Sequence, residues 1–186
     1  NILVQVLDQH NIEIAEIDVV REYIANKQFI RNKLAKELGL SLKKVKTILQ
    51  ALTYGAKLSR SHHEAIYEVC DGNTKAIESV VTNAWLRRYM TAFQLASKAL
   101  AKQEVGSVNA VGIEFNKTTD RERLAHILQG YERQVIDAII KHSDRNNIAL
   151  LVHDCIVTYN RFESSWLSVA VKKETGFDLA FSEDKY

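Results

Sequence analysis

The chain of 186 residues is long enough for one sizeable core or two small ones, and its formal net charge of +2 gives no strong overall attraction to nucleic acid. A hydrophobic share of 46% beside 26% charged residues indicates a globular protein and excludes a disordered chain. No apolar run approaches the ~20 residues of a membrane span, and no signal peptide is visible. Cys70 and Cys155 lack metal-ligand spacing, which favours a cytoplasmic location, the host cytoplasm for a viral protein.

The first third of the chain has one apolar run of the buried-strand kind and then patterns of helical spacing. The elements predicted there are a strand at 2–7, a helix at 12–25, a helix at 29–38 and a helix at 41–54. Gly39 favours a helix stop, and Ser41 favours a cap for the next helix. The absence of proline fits a mostly helical chain. Because the first residue is Asn1 rather than Met and leads directly into an apolar run, we expect the chain to be part of something longer or a processed piece.

The remainder of the chain alternates helices with short β-favouring runs. The predicted elements are helices over 62–102 with a break at 71–73, a loop or hairpin over 103–120, a helix at 121–142, a strand at 148–152, its hairpin partner at 156–159, a helix at 163–174 and an edge strand at 177–181. Gly176 favours the end of the last helix.

Two aspartates follow apolar runs in this pattern. Asp154 falls in the tight turn between the two hairpin strands, and Asp8 follows the run at 2–7. A carboxylate at a strand end is held rigidly, as a metal ligand must be, and two carboxylates with two magnesium ions could clamp the oxygens of a phosphoryl transfer. Each aspartate also has a simpler explanation, since Asp154 could only form the turn and Asp8 could cap the next helix.

Three side chains recur at four-residue spacing between these aspartates. Lys46, Gln50 and Tyr54 therefore share one helix face, and Gly55 follows them. A lysine, a polar side chain and an aromatic ring on one stripe could hold a triphosphate, its sugar and the templating base. Gly55 would let a strand approach closely.

The order of these residues resembles the polymerases of family A, the bacterial polymerase I type, and their relatives, the phage-type single-subunit RNA polymerases. The first family motif, Asp-x-x-x-Ile-Glu, is matched by Asp8, Ile12 and Glu13. The others are matched by Lys46, Tyr54 and Gly55, by Arg121, Gln129 and Gly130, and by His153 and Asp154. The resemblance spans residues 2–159.

The resemblance implies a role for each matched position. Asp8 and Asp154 would bind two Mg²⁺ ions, and Lys46, as a third catalytic residue, would neutralise the incoming phosphates and help to protonate the pyrophosphate as it leaves. Glu13 would lie under the sugar of the nucleotide and exclude a 2′-hydroxyl. The residues that would contact the primer or template backbone are Arg121, Gln129 and His153.

Two positions depart from the DNA polymerases. Cys155 replaces their glutamate after His-Asp, and Gln50 replaces their aromatic residue, and both changes favour a DNA-directed RNA polymerase. Glu13, Gln129 and the compact spacing favour a DNA polymerase. We expect DNA polymerase activity, with a phage-type RNA polymerase as the alternative.

A non-enzymatic alternative uses the same region. The pattern from Leu34 through Gly39 and Ser41 to Ile48 is typical of a helix-turn-helix, which also arises in plain helix packing. Basic residues cluster around it, at Lys27, Arg31, Lys33, Lys36, Lys43, Lys44, Lys46 and Lys57. In this interpretation the protein is a DNA-binding module, and His153-Asp154 is an ordinary turn.

The expected fold is α+β: a mostly helical, right-hand polymerase with a small antiparallel palm sheet. The palm would comprise residues 1–25 and 103–186, with a C-terminal helix, and the fingers residues 26–102. The expected partners are a primer–template and nucleoside triphosphates, with further domains or a partner chain supplying a thumb.

Overall fold

Helices dominate the structure, a computed structural model that describes residues 2–102, 108–115, 119–152, 155–161 and 163–181. The helices are α1 (Ile2–Gln9), α2 (Ile17–Ala25), α3 (Lys27–Leu38), α4 (Leu42–Thr53), α5 (Ala65–Val69), α6 (Thr74–Thr82), α7 (Ala84–Lys102), α8 (Asp120–His142) and α9 (Ser164–Thr175). The strands β1 (Ile148–Val152) and β2 (Cys155–Thr158) form a two-stranded antiparallel sheet. The expectation of a mostly helical chain with a small antiparallel sheet is confirmed at this level.

The predicted strand at 2–7 is wrong, because these residues form helix α1. Leu3, Val4, Val6 and Leu7 are all buried, so the helix is covered on several sides rather than along one stripe. An apolar run of this length fits a buried helix as well as a buried strand, and periodicity alone does not separate the two. Helix α1 packs against α2 and α8. A palm sheet of three strands is therefore not present among the described residues.

Helix α7 is at the centre of the core. Its buried residues recur at spacings of three and four, and it packs against α2, α4, α6 and α8. The Tyr89 ring meets the Tyr23 ring edge-on at 5.5 Å, and its hydroxyl is hydrogen-bonded to Thr53 Oγ1 at 3.2 Å. The buried Tyr89 side chain of α7 thus contacts both α2, through Tyr23, and α4, through Thr53.

Helices α3 and α4 form the predicted helix pair. Gly39 ends α3 in the left-handed conformation, and the Ser41 side chain caps α4 by accepting a hydrogen bond from the Lys44 backbone N–H. The two helices pack on each other. The predicted helix end at Gly39 and the predicted cap at Ser41 are confirmed. Glycine takes the left-handed conformation without steric cost, and the serine hydroxyl accepts a hydrogen bond from a free N–H group of the first turn.

A loop at residues 108–115 lies against helix α8. Buried Asn109 organises it, since its side-chain oxygen accepts hydrogen bonds from the backbone N–H groups of Val111 and Ile113. Gln134 of α8 donates to the Ala110 carbonyl at 2.9 Å. A Cβ atom on Gly130 would lie 2.7 Å from Asn109 Cβ and 2.9 Å from the Ala110 backbone nitrogen. Glycine at this position therefore permits the close approach of the loop.

The hairpin and helix α9 follow the predictions closely. Strands β1 and β2 pair with Val152 opposite Cys155, and α9 ends at Gly176 as expected. The predicted edge strand at 177–181 is wrong, because these residues form no ladder. Phe177 is instead fully buried, and Gln5 exchanges two side-chain hydrogen bonds with the Asp178 backbone. An apolar segment packed through side chains has the same sequence pattern as an edge strand.

None of the described helices is both long and apolar enough to cross a membrane.

Replacing Gly130 with alanine should destabilise the protein by about 1–3 kcal/mol, because the added methyl group overlaps the loop. The loss should exceed the gain of up to about 1 kcal/mol that alanine brings to a helix interior. The measurement is urea unfolding, with Gln129→Ala as the control at the exposed neighbouring position. Equal or higher stability of Gly130→Ala would mean that the loop does not pack on α8.

Stability should also fall at high pH through Tyr89. Burial raises the pKa of Tyr89 to about 12, although the hydrogen bond with Thr53 acts in the opposite direction. The unfolded chain has the ordinary tyrosine pKa of about 10. The stabilisation is complete below about pH 10 and is lost as the pH rises towards about 12, because the unfolded chain releases a proton that the folded chain retains.

We expect Tyr89 to lower the free energy of unfolding by on the order of 2 kcal/mol over that interval. Denaturant unfolding of wild type and Tyr89→Phe at a series of pH values measures this contribution. The variant should lose stability less steeply, and parallel curves would contradict the assignment.

Candidate functional site

Asp8 lies in the last turn of helix α1, beside an open depression of about 370 Å³. The described lining of the depression comes from α1 and the turn that follows it: Leu7, Asp8, Asn11, Ile12 and Glu13. Asn11 takes a left-handed conformation, and Ile12 donates its backbone N–H to the Leu7 carbonyl at 2.8 Å. This turn folds the chain back, so that all three matched residues of the first motif, Asp8, Ile12 and Glu13, line one surface.

Asp8 accepts a hydrogen bond from an arginine of the next helix. The Arg21 guanidinium Nη2 donates to Asp8 Oδ1 at 2.5 Å, and both side chains are about half exposed. A single contact between exposed groups contributes little stability, about 0.2–1 kcal/mol. The pair therefore fixes the position of the Asp8 carboxylate only weakly.

The other acidic side chains near the start of α2 are paired with α7. Arg88 donates to Glu16 through Nε and to Asp18 through Nη2, the latter at 2.8 Å. These hydrogen bonds raise the pKa of the Arg88 guanidinium, so it remains charged. Glu22 accepts a hydrogen bond from the Trp85 indole. Within the described part of the chain, Arg88 thus pairs with Glu16 and Asp18, and Arg21 pairs with Asp8.

The side chains around the depression have the donor chemistry of a magnesium site. Asp8 and Glu13 offer carboxylates and Asn11 offers an amide oxygen, and hard oxygen ligands are those that Mg²⁺ prefers. Among the described residues no three His, Cys, Asp or Glu side chains cluster at metal-binding distance. Asp154, the second predicted ligand, lies outside the described residues.

The predicted stripe on α4 is exposed. Lys46, Gln50 and Tyr54 face solvent, while Val45, Ile48, Leu49 and Leu52 face the core. No acidic residue occurs between 38 and 63. In this stretch Lys44 pairs with Asp71 and Arg60 with Glu78, whereas Lys43, Lys46 and Lys57 form no ion pair within the described residues. The exposed face of α4 therefore carries unbalanced positive charge.

Gly55 ends helix α4 through its own backbone. It has a φ of 83°, its N–H bonds to the Leu52 carbonyl, and the Ala56 N–H bonds to the Ala51 carbonyl at 2.8 Å. This is the Schellman arrangement, in which glycine is favoured because the conformation is left-handed. The Tyr-Gly pair thus fixes where the helix stops and holds Tyr54 at its exposed end.

Helix α8 carries the three matched residues that precede the hairpin, Arg121, Gln129 and Gly130. Gln129 is exposed, and Arg121 lies in the first turn, where the structure describes only its backbone. His153 and Asp154 follow β1 and precede β2, and both lie outside the described residues. Gly130 lies under the loop at 108–115, so packing accounts for it.

The predicted site residues do not form one cluster in the described structure, and Gln129 lies apart from the others on α8. Asp8 and Glu13 share the depression, and Lys46, Gln50 and Tyr54 share one helix face, but no residue of α4 is in the described lining of the depression. Helix α1 packs on α2, and α4 packs on α7, with α2 and α7 in contact. Helices α2 and α7 therefore connect α1, which carries Asp8, to α4, which carries Lys46 and Gln50.

Sequence reasoning missed Arg21 and Asn11. Both residues come close to Asp8 because of the turn between α1 and α2. That turn was not predicted, because residues 2–7 were expected to form a strand. The positive charge of Arg21 did not by itself indicate that it pairs with Asp8, because lysines and arginines are frequent in this region.

Comparisons of the chain with protein-family models, with curated proteins and with solved structures find no match.

Proposed function

We propose that the chain is a template-directed nucleotidyltransferase that extends a primer 3′-end, of the kind found in family A DNA polymerases. The observation that carries the proposal is the exposed face of α4, on which Lys46, Gln50 and Tyr54 lie beside unbalanced positive charge. A triphosphate requires such a surface, because it brings several negative charges and an aromatic base together.

In this proposal the two groups of residues have separate tasks. Lys46 binds the phosphates as a point charge, Gln50 contacts the nucleotide, and Tyr54 stacks at the nascent base pair, with Gly55 leaving room for the strand. Glu13 lies under the sugar and excludes a 2′-hydroxyl. The side chains of Arg121, Gln129 and His153 contact the primer or template.

Asp8 and Asp154 would hold two Mg²⁺ ions, which when bound stabilise the charge on the attacking and leaving oxygens. The oxygen-donor side chains around Asp8 fit such an ion. The hairpin β1–β2 would be the palm sheet. A thumb from another domain or chain would supply the remaining phosphate contacts.

A second candidate function is duplex binding through a helix-turn-helix. The observed arrangement of α3, left-handed Gly39, capping Ser41 and α4 favours it. Lys43 and Lys46 would then bind phosphates, and the polar side chains of α4 would face the groove.

Replacing Asp8 or Asp154 with alanine should each abolish primer extension with Mg²⁺ on a DNA template. The measurement uses the full-length protein or its complex, with dNTPs and rNTPs offered separately, and the preferred set identifies DNA or RNA synthesis. Asp137→Ala, an exposed aspartate paired with Arg133 on α8, is the matched control and should retain activity. Extension by either site variant would refute the metal assignment.

Lys46→Ala distinguishes the two candidate functions. For a polymerase, the KM for dNTP should rise by about tenfold or more while primer–template affinity changes little, because one phosphate contact is lost. For a helix-turn-helix, duplex binding should weaken and its logarithmic salt slope should decrease by about 1, with the same effect in Lys43→Ala. Lys75→Ala, an exposed lysine on α6, is the control. Unchanged kinetics and unchanged binding in Lys46→Ala would contradict both assignments.

A further inference from the structure

Arg21 holds the carboxylate that the proposed reaction needs for a metal ion. Its guanidinium lies 2.5 Å from Asp8 Oδ1, and Asp8 lines the depression together with Asn11 and Glu13. A guanidinium that is hydrogen-bonded to a carboxylate places a positive charge beside it, and this charge opposes the binding of a divalent cation to the same carboxylate. We infer that Arg21 is an internal counter-ion that competes with the metal for Asp8 and sets the metal concentration at which this site fills.

The contact has the form expected of a displaceable counter-ion. One guanidinium nitrogen meets one carboxylate oxygen, and the side-chain exposures are 49% for Arg21 and 51% for Asp8. A bidentate, buried pair would resist displacement, whereas an exposed single contact contributes little. The Arg60–Glu78 pair of the same chain, with two hydrogen bonds of 2.7 and 2.8 Å, shows the stronger geometry that Arg21 lacks.

The surrounding charges support this role for Arg21. Glu16 and Asp18 are both held by Arg88, so the carboxylates that could otherwise attract Arg21 away from Asp8 are already paired. Glu13 lines the depression and remains exposed as a further oxygen donor. Because the Arg21 side chain is about half exposed, solvent is open to it when a cation takes its place beside Asp8.

The inference rests on the proposed metal site, and metal binding measured without catalysis tests it. The probe is Mn²⁺ alone, with the free ion quantified by electron paramagnetic resonance in wild type, Arg21→Ala, Arg21→Lys and Asp8→Asn. Removing one positive charge beside the site should tighten Mn²⁺ binding by about three- to tenfold in Arg21→Ala. Arg21→Lys retains the charge and should bind Mn²⁺ close to the wild-type affinity.

Arg133→Ala is the matched control, because it removes one exposed, singly paired arginine on α8 and gives the same change in net charge. Its Mn²⁺ affinity should equal that of wild type. Thermal unfolding followed by circular dichroism checks that each variant is folded.

The outcomes separate the inference from the function on which it rests. Tighter binding in Arg21→Ala, together with weaker binding in Asp8→Asn, supports both. Weaker binding in Asp8→Asn with unchanged binding in Arg21→Ala overturns the counter-ion role and leaves the metal site intact. Wild-type affinity in Asp8→Asn removes the metal site itself, and the counter-ion role is overturned with it.

Discussion

The burial of one face of helix α7 is the constraint on which the rest of the structure depends. Four helices pack around it, and the phenol of Tyr89 joins α2, α4 and α7 at one point. Each large side chain buried there contributes on the order of 1.5–3 kcal/mol. Because α4 is anchored through its inner face, its outer face is free to carry Lys46, Gln50 and Tyr54. Because α2 is anchored through the same helix, Arg21 is positioned beside Asp8.

The helices were largely predictable because their signals are local. Ser41 caps α4, Gly39 and Gly176 end α3 and α9, and the apolar spacing of α8 is that of a helix over its full length. The hairpin was predictable for a similar reason, since two short β-favouring runs flank a turn. In each case the residues that determine the element lie within it or next to it.

The wrong predictions concern segments whose secondary structure depends on contacts with distant parts of the chain. The run at 2–7 forms a helix because it is covered by α2 and α8, which no local pattern records. The segment at 177–181 is attached to the core by buried Phe177 and by the hydrogen bonds between Gln5 of α1 and the Asp178 backbone. The exposed stripe of α4 was predictable from its spacing. The surroundings of Asp8 were not, because the turn that follows α1 brings Asn11 into the depression and Arg21 to the Asp8 carboxylate.

The two cysteines differ in a way that makes the hairpin accessible to chemical labelling. Cys70 is buried, and this burial raises the pKa of its thiol, so little of the reactive thiolate is present at neutral pH. Cys155, at the start of β2, is exposed. A thiol-directed fluorophore would therefore attach selectively at the strand next to His153 and Asp154, without engineering a new cysteine. Cys155 thus gives this chain a native reporter next to the predicted metal ligand Asp154.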